Sequence, residues 1–339
     1  MPAADRIRAT GVGSMPGTEF AESVRVVLGE LPALPHLPEL PDRGAVADLT
    51  GRALAIVDGL GADLQPSGWR LTGGSRSGGA DQRRARSLLA QDLDALEEQT
   101  QGYAGPLKLQ VAGPWTLAST VERPRGDRVL ADHGARRELA EALAEGLVAH
   151  VADVRRRVPG AELVVQVDEP ALPTVLAGGV PTASGFGRHR SVDEPTATTA
   201  LALAFAAIEA AGGVPLAHCC AVDVPVSLLT TAGAAGVGVD LTILAASGYD
   251  GVAGLLEKGA PVHLGVVPTT PGIEEGAERT ATERLLRFLD MLGLDPAEVA
   301  ANLVVTPTCG LAGASPAWAR EALRLCRAVA THVTGSPAE

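Results

Sequence analysis

The sequence predicts an α/β protein built as a single (β/α)8 barrel, and three observations lead to this prediction. Strand-like and helix-like segments alternate strictly along the chain, and eight of them read as strands. The chain has 339 residues, which suits a barrel of about 250 residues with insertions. Hydrophobic residues make up 46% but aromatic residues only 3%, so Ala, Val and Leu must fill the core, as in parallel sheets. We therefore expect residues 1–339 to form one domain.

The first half of the chain supplies four of the predicted strands. The first, near Thr10, runs into a glycine turn at residues 11–14, and residues 19–31 then have helical spacing. Residues 31–42 contain four prolines and cannot be helical, so we expect an extended excursion over the barrel mouth. The other predicted elements here are strands near Ala62, Leu107 and Leu163 and helices over residues 45–60, 81–100 and 135–158.

The second half repeats the strand–helix unit four more times. Each apolar run is short enough for a strand, and each following segment has helical spacing. The predicted strands begin near Val214, Gly236, Val262 and Asn302, and the helices that follow them cover residues 225–232, 251–258, 273–292 and 315–333; a further predicted helix, over residues 194–211, precedes them.

Charge and composition exclude several classes of function. The formal net charge of -12 disfavours nucleic acid and anionic membrane surfaces, because both need a basic face. The chain has no apolar run typical of a signal peptide or a membrane span, so we expect a cytoplasmic protein. Its four cysteines are too few to stabilise a chain of this length by disulfide bonds, so we expect them to remain thiols.

Metal-binding residue types gather where the predicted strands end. His218 and Cys220 end the fifth strand, Asp240 lies on the sixth and Cys309 follows the eighth. In a barrel these positions converge on one mouth. Because side chains alternate between the two faces of a strand, Cys220 lies on the same face as His218, and Cys219 lies on the opposite face. A His, two thiolates and a carboxylate suit an open zinc site. Taken alone, the His is also compatible with a buried structural role, each Cys with a place in the core, and the Asp with a helix cap.

The predicted zinc ligands indicate the type of reaction. Two thiolates and a carboxylate leave zinc electron-rich, which suits deprotonation of an incoming thiol better than activation of water. This indicates alkylation of a substrate thiol. Asp168 and Glu169 end the fourth strand, and since neighbours on a strand point to opposite faces, only one of them reaches the barrel axis.

Five segments together resemble one known family. They are Thr-Gly-Val-Gly-Ser-Met-Pro at residues 10–16, Gly-Pro-Trp-Thr at 113–116, Val-Asp-Glu-Pro-Ala-Leu at 167–172, His-Cys-Cys at 218–220 and Cys-Gly-Leu at 309–311. With these five segments in this order, the sequence resembles the catalytic barrel of cobalamin-independent methionine synthase over almost its whole length. The broader superfamily includes uroporphyrinogen decarboxylase, whose reaction needs no thiolate cluster.

The resemblance implies a zinc-dependent transfer of a methyl group to the thiol of homocysteine, which gives methionine. It implies that His218, Cys220 and Cys309 bind Zn²⁺. It also implies that Gly13, Ser14 and Asp168 bind the amino-acid end of homocysteine. Asp168 is the catalytic-site residue among them and would contact the α-ammonium. A carboxylate suits an ammonium group, and backbone N–H groups suit a carboxylate.

The chain also departs from the family pattern. Asp240 stands where the family has a Glu as fourth zinc ligand, so Asp240, Cys219 or a water remains open for that place. Residues 267–271 lack the His that the family uses as an acid. We also expect the protein to resemble the shorter members of the family, without the second, amino-terminal barrel of the full-length enzyme. The methyl donor is therefore either a methylcorrinoid or methyltetrahydrofolate. The alternatives are transfer to another thiol and a non-catalytic, zinc-stabilised binding protein.

Overall fold

A computed structural model of the chain describes residues 6–73, 78–271 and 276–333. Seven parallel strands form the main sheet, in the order β1-β9-β8-β7-β6-β5-β4, and β2 and β3 form a separate two-stranded sheet. The strands are β1 (Arg8–Ala9), β2 (Ala62–Gln65), β3 (Gly68–Leu71), β4 (Gly105–Ala112), β5 (Ala161–Asp168), β6 (Val214–Cys219), β7 (Gly236–Asp240), β8 (Val262–Val267) and β9 (Leu303–Pro307).

Twelve α-helices in the described residues connect and cover these strands. Two of the long ones begin at capping carboxylates: Asp132 accepts a hydrogen bond from the Ala135 N–H, and Asp193 accepts one from the Thr196 N–H. The helices are α1 (Phe20–Glu30), α2 (Leu49–Ile56), α3 (Ala80–Gln99), α4 (Pro114–Thr120), α5 (His133–Arg157), α6 (Leu172–Leu176), α7 (Glu194–Ala210), α8 (Val226–Thr231), α9 (Tyr249–Glu257), α10 (Ala277–Leu292), α11 (Pro296–Val299) and α12 (Pro316–Val333).

The strand predicted near Ala62 forms as β2, but its predicted place in the barrel is wrong, because β2 lies outside the main sheet. It pairs antiparallel with β3, with Ala62 opposite Leu71. The proline-rich residues 35–39 lie between the two edge strands of the main sheet instead, through parallel bridges from His36 to Lys108 and from Glu39 to Ser14. The segment predicted to extend over the mouth therefore lies along the edges of the main sheet.

The backbone hydrogen bonds explain how a proline-rich segment can take this place. The Leu37 N–H donates to the Lys108 carbonyl at 2.8 Å, and the Glu39 N–H donates to the Gly13 carbonyl at 3.1 Å. Pro35 contributes only its carbonyl, which accepts from the Lys108 N–H at 2.9 Å. The prolines thus stand where no N–H donor is needed.

The core is one contiguous cluster of buried apolar side chains from the sheet and the helices around it. The predicted helix over residues 273–292 begins at Ala277 in the structure, and Ile273 lies outside the described residues. No helix within the described residues is both long and apolar enough to cross a membrane. The carboxyl ends of the seven parallel strands open on one face, which is where the residues predicted to act lie.

Candidate active site

A cavity of about 300 Å³ lies at the carboxyl ends of the strands. It brings together six of the seven residues predicted to form the site, and Asp240 is the one that does not line it. The six are Gly13, Ser14, Asp168, His218, Cys220 and Cys309, and further lining residues include Glu39, Asp48 and Gln110.

Two thiols from distant parts of the chain meet in this cavity. Cys220 follows β6 and Cys309 follows β9, and their Sγ atoms lie 3.3 Å apart and share a hydrogen bond. The bond to Cys220, helped by the neighbouring His218, lowers the pKa of Cys309 to about 4. Sharing the remaining proton raises the pKa of Cys220 above the ordinary thiol range. The pair therefore loses its first proton readily, as a soft-metal site requires.

His218 ends β6 as a buried side chain with one free ring nitrogen. Its Nε2 has no hydrogen-bond partner among the described residues. Gly238 on the neighbouring strand makes room for the ring, because a Cβ there would lie 3.0 Å from Nδ1. A buried, unpaired imidazole nitrogen is costly unless it meets a ligand or a metal.

The side chains that could coordinate a metal in this cavity are of the chemical types that bind zinc. One imidazole and two thiols line the same cavity, and these are the groups that zinc prefers. In the part of the chain that the structure describes, no three His, Cys, Asp or Glu side chains are already arranged around a common metal position. A bound ion would therefore have to draw the side chains together.

The two remaining candidates for a fourth ligand differ in accessibility. Asp240 Oδ1 accepts hydrogen bonds from Thr242 N at 2.8 Å and Thr242 Oγ1 at 2.6 Å. Its charge interacts with that of Cys309, which places the carboxylate near the thiol pair although it does not line the cavity. Cys219 is completely buried, and burial raises its pKa to about 12. Asp240 is thus the more accessible of the two.

Asp168 ends β5 and faces the cavity. Its Oδ1 accepts a hydrogen bond from Gln166 Nε2 at 2.7 Å. Burial raises the pKa of Asp168 to about 7, against the opposing effects of His218 and Lys108. On the other side of the cavity, Ser14 packs directly against Gly310, where a Cβ would overlap its Oγ. A side chain at residue 310 would therefore force the Ser14 hydroxyl to move.

A buried polar network beneath the cavity was not predicted. Lys108 Nζ donates to the Val12 carbonyl at 2.7 Å and to Gln166 Oε1 at 3.0 Å. Its charge also interacts with those of Asp168 and Glu39. The signal was present in the sequence, because Lys108 and Gln110 alternate with apolar residues along a strand that is otherwise a core strand.

Glu169 points away from the cavity, as alternation along β5 requires. Its carboxylate accepts hydrogen bonds from Trp115 N at 2.8 Å, Thr116 N at 2.8 Å and Thr116 Oγ1 at 2.7 Å. The Glu169 N–H donates to the His218 carbonyl at 2.8 Å. Glu169 thus ties the start of α4 to the ends of β5 and β6.

Comparisons with known proteins give one family and one similar fold. The sequence profile described as "Cobalamin-independent synthase, Catalytic domain" matches residues 107–332. The structure resembles that of a B12-independent methionine synthase from Shewanella sp. W3-18-1, in complex with selenomethionine. The TM-score is 0.65 at 15% identity, over 97% of this chain and 98% of that chain.

Other comparisons add little. A β-mannanase from the blue mussel Mytilus edulis gives a TM-score of 0.47 at 11% identity, over 96% of this chain and 92% of that chain. No curated protein sequence matches the chain. At these identities the structural similarity concerns the fold alone.

Proposed function

Because the chain belongs to the cobalamin-independent synthase family and is therefore a methyltransferase, we propose that it moves a methyl group to the thiol of homocysteine, which gives methionine. The observation that carries this proposal is the single cavity in which the Cys220–Cys309 pair, the unpaired His218 nitrogen and Asp168 meet. The fold proposed for this function is one closed (β/α)8 domain over residues 1–339. Residues 35–39 take the place of its second strand, and the single hydrophobic core supports this assignment.

Zn²⁺ would be held by His218, Cys220 and Cys309, and Asp240 is the candidate for the fourth place. When bound, zinc supplies the charge that keeps a substrate thiol deprotonated and nucleophilic at neutral pH. The low pKa of Cys309 favours loading, because a metal then displaces fewer protons from the pair.

The charges around the cavity favour an acceptor that carries an ammonium group. Glu39, Asp48 and Asp168 line it, and no Lys or Arg of the described residues does, although Arg52 Nε lies 3.2 Å from Glu39 Oε1. Such a surface attracts the α-ammonium of homocysteine and repels thiols that carry only negative groups. Among these carboxylates, Asp168 is the one from the predicted site, and it would bind the ammonium by a charge-assisted hydrogen bond.

The α-carboxylate of homocysteine needs a different partner. The backbone N–H of Ser14 donates to no acceptor among the described residues, and Ser14 lines the cavity together with Gly13. We place the carboxylate at these backbone groups, because N–H donors suit a carboxylate. Asp168 and Ser14 would then orient the two ends of the amino acid while its sulfur reaches the thiol pair.

The methyl donor we favour is a methylcorrinoid, with methyltetrahydrofolate as the second candidate. In the transfer, the acceptor sulfur forms the new S–CH₃ bond while the bond from the methyl group to its carrier breaks. A folate nitrogen needs a proton as it leaves, whereas cobalt leaves with the electron pair and needs none. Residues 267–271 contain no His that could supply such a proton.

The most direct experiment is X-ray absorption spectroscopy of the zinc-loaded protein with and without homocysteine. We expect the number of sulfur ligands to rise by about one when homocysteine is added. An unchanged zinc environment would identify a structural metal and favour the non-catalytic alternative. A sulfur ligand gained from other thiols but not from homocysteine would favour transfer to a different acceptor.

Cys309→Ser tests the thiol pair. We expect the wild-type protein to bind about one zinc per chain and this variant to lose most of it, because a hydroxyl is a poor ligand for zinc. Cys326→Ala is the matched control, since Cys326 is a completely buried cysteine of α12 that does not line the cavity. Metal analysis after dialysis gives the result. A metal-free wild-type protein that is fully folded would contradict the zinc assignment.

A further inference from the structure

A second cavity, of about 470 Å³, opens beside the first on the same face of the sheet. Five threonines and one arginine supply its polar lining: Thr242, Thr269, Thr270, Thr280, Thr308 and Arg284. They come from the segments that follow β7, β8 and β9 and from the first turns of α10. The cavity was not predicted from the sequence.

This cavity adjoins the proposed catalytic cavity. Thr308 lines the second cavity, and the next residue, Cys309, lines the first. Thr242 binds the carboxylate of Asp240 through its N–H and its hydroxyl. A molecule in the second cavity would therefore lie directly across residues 308–310 from the thiol pair.

Arg284 is the cationic group of this cavity and is held in place. Its Nη1 donates to the Val266 carbonyl at 3.0 Å. Within the described ranges Arg284 forms no ion pair, although its charge interacts with that of Asp240. Arg284 thus has N–H donors left for a ligand.

The walls around Arg284 are also fixed by hydrogen bonds. Trp318 Nε1 donates to the Pro268 carbonyl at 3.3 Å, and the Thr308 N–H donates to the Val267 carbonyl at 2.8 Å. The two cavities are therefore opposite in character. The first is lined by carboxylates, and the second by a guanidinium and hydroxyl groups, which bind carboxylates and phosphates.

We propose that the second cavity binds an anionic group, a carboxylate or a phosphate, of the methyl donor. This inference rests on the proposed methyl transfer and assigns the donor's anchor within it. Both candidate donors carry such a group, as the glutamate carboxylates of methyltetrahydrofolate or the nucleotide phosphate of a methylcorrinoid. Anchored at Arg284, the donor would present its methyl group across residues 308–310 to the acceptor sulfur.

The test compares Arg284→Gln with Arg287→Gln. Arg287 is an exposed arginine of the same helix that does not line this cavity. Calorimetry would measure the binding of methylcobalamin and of 5-methyltetrahydrofolate triglutamate to the zinc-loaded proteins. We expect the donor that binds the wild-type protein to bind Arg284→Gln about tenfold more weakly, as the loss of a charged hydrogen bond predicts, and Arg287→Gln equally well.

Truncated donors identify the source of the anion. Methylcobinamide lacks the nucleotide phosphate, and 5,6-dimethyltetrahydropterin lacks the glutamate and all of its carboxylates. For a donor anchored at Arg284, the truncated form should bind wild type and Arg284→Gln with equal affinity. Equal binding of the complete donor to both proteins, or no binding of either donor to the wild type, would overturn the anchor site. The response of the zinc environment to homocysteine is independent of these results and tests the methyl-transfer function separately.

Discussion

Asp168 is the side chain on which the acceptor cavity and the buried network below it converge. It faces the cavity, and it accepts from Gln166, which in turn accepts from Lys108. The buried ammonium of Lys108 also binds the Val12 carbonyl, next to Gly13 and Ser14. One cation therefore positions both ends of the proposed amino-acid site without lining the cavity itself.

Asp168→Asn should weaken the binding of homocysteine and leave zinc in place. The amide keeps the size of the side chain but removes the charge that would meet the α-ammonium, so we expect a KM for homocysteine about ten to a hundred times higher. Steady-state kinetics together with metal analysis would measure both effects. An unchanged KM would refute the role of Asp168.

Asp240→Asn is the counterpart of this variant. Asp240 is a carboxylate near the thiol pair that does not line the acceptor cavity, so we expect its loss to weaken zinc binding more than homocysteine binding. If both variants changed zinc and homocysteine affinity alike, the division of the site into a metal part and an amino-acid part would be wrong.

The sequence predicts the orientation of a side chain best where that orientation depends only on the local backbone. Alternation along a strand is a property of the backbone, and it separated Cys220 from Cys219 before any fold was known. In the structure, Cys220 lines the cavity and Cys219 is completely buried. Glu39 was missed because its place in the cavity depends on a strand that the sequence did not reveal.

At the scale of elements, the segment 35–39 shows what the sequence could not predict. Proline lowers the expectation of a strand because it removes a hydrogen-bond donor. Here the required donors come from Leu37 and Glu39, which alternate with the prolines. The residues near Ala62 have an acceptable strand pattern but find their partner locally, in β3. Pattern alone cannot tell a local partner from a distant one.

Gly11→Ala tests the packing of this segment against β1. A Cβ at residue 11 would overlap the ring of His36, whose Nδ1 accepts a hydrogen bond from the Gly11 N–H at 3.3 Å. Because the His36 ring is buried and would have to shift, we expect a loss of about 1–3 kcal/mol in the free energy of unfolding. Urea denaturation would measure it.

Gly29→Ala in α1 is the matched control for this prediction. A Cβ there has no neighbour within 4 Å, and alanine is the better helix former. We therefore expect unchanged or slightly increased stability. Equal stability of wild type and Gly11→Ala would show that His36 and β1 are not tightly packed.

At the scale of the whole molecule, the sheet encloses ionisable groups from several strands. Lys108 from β4, His263 from β8 and His36 from the segment 35–39 are all buried. Burial, reinforced by the charge of Lys108, lowers the pKa of His36 and of His263 well below the ordinary value. Both imidazoles are therefore neutral in the folded protein, and the stability of the whole fold depends on pH.

His36→Gln should make the stability of the metal-free protein less sensitive to acid. Above pH of about 6.5, His36 is neutral in both states and contributes no pH dependence. Below this pH, the unfolded chain binds a proton that the folded protein excludes, so stability falls as the pH falls towards the lowered folded pKa. Between pH 7.5 and 5.5, the free energy of unfolding of the wild type should therefore fall by about 1.4 kcal/mol more than that of the variant. Denaturation in urea with a chelator, at both pH values, would measure the difference. Equal losses in the two proteins would mean that His36 takes up a proton in the folded barrel.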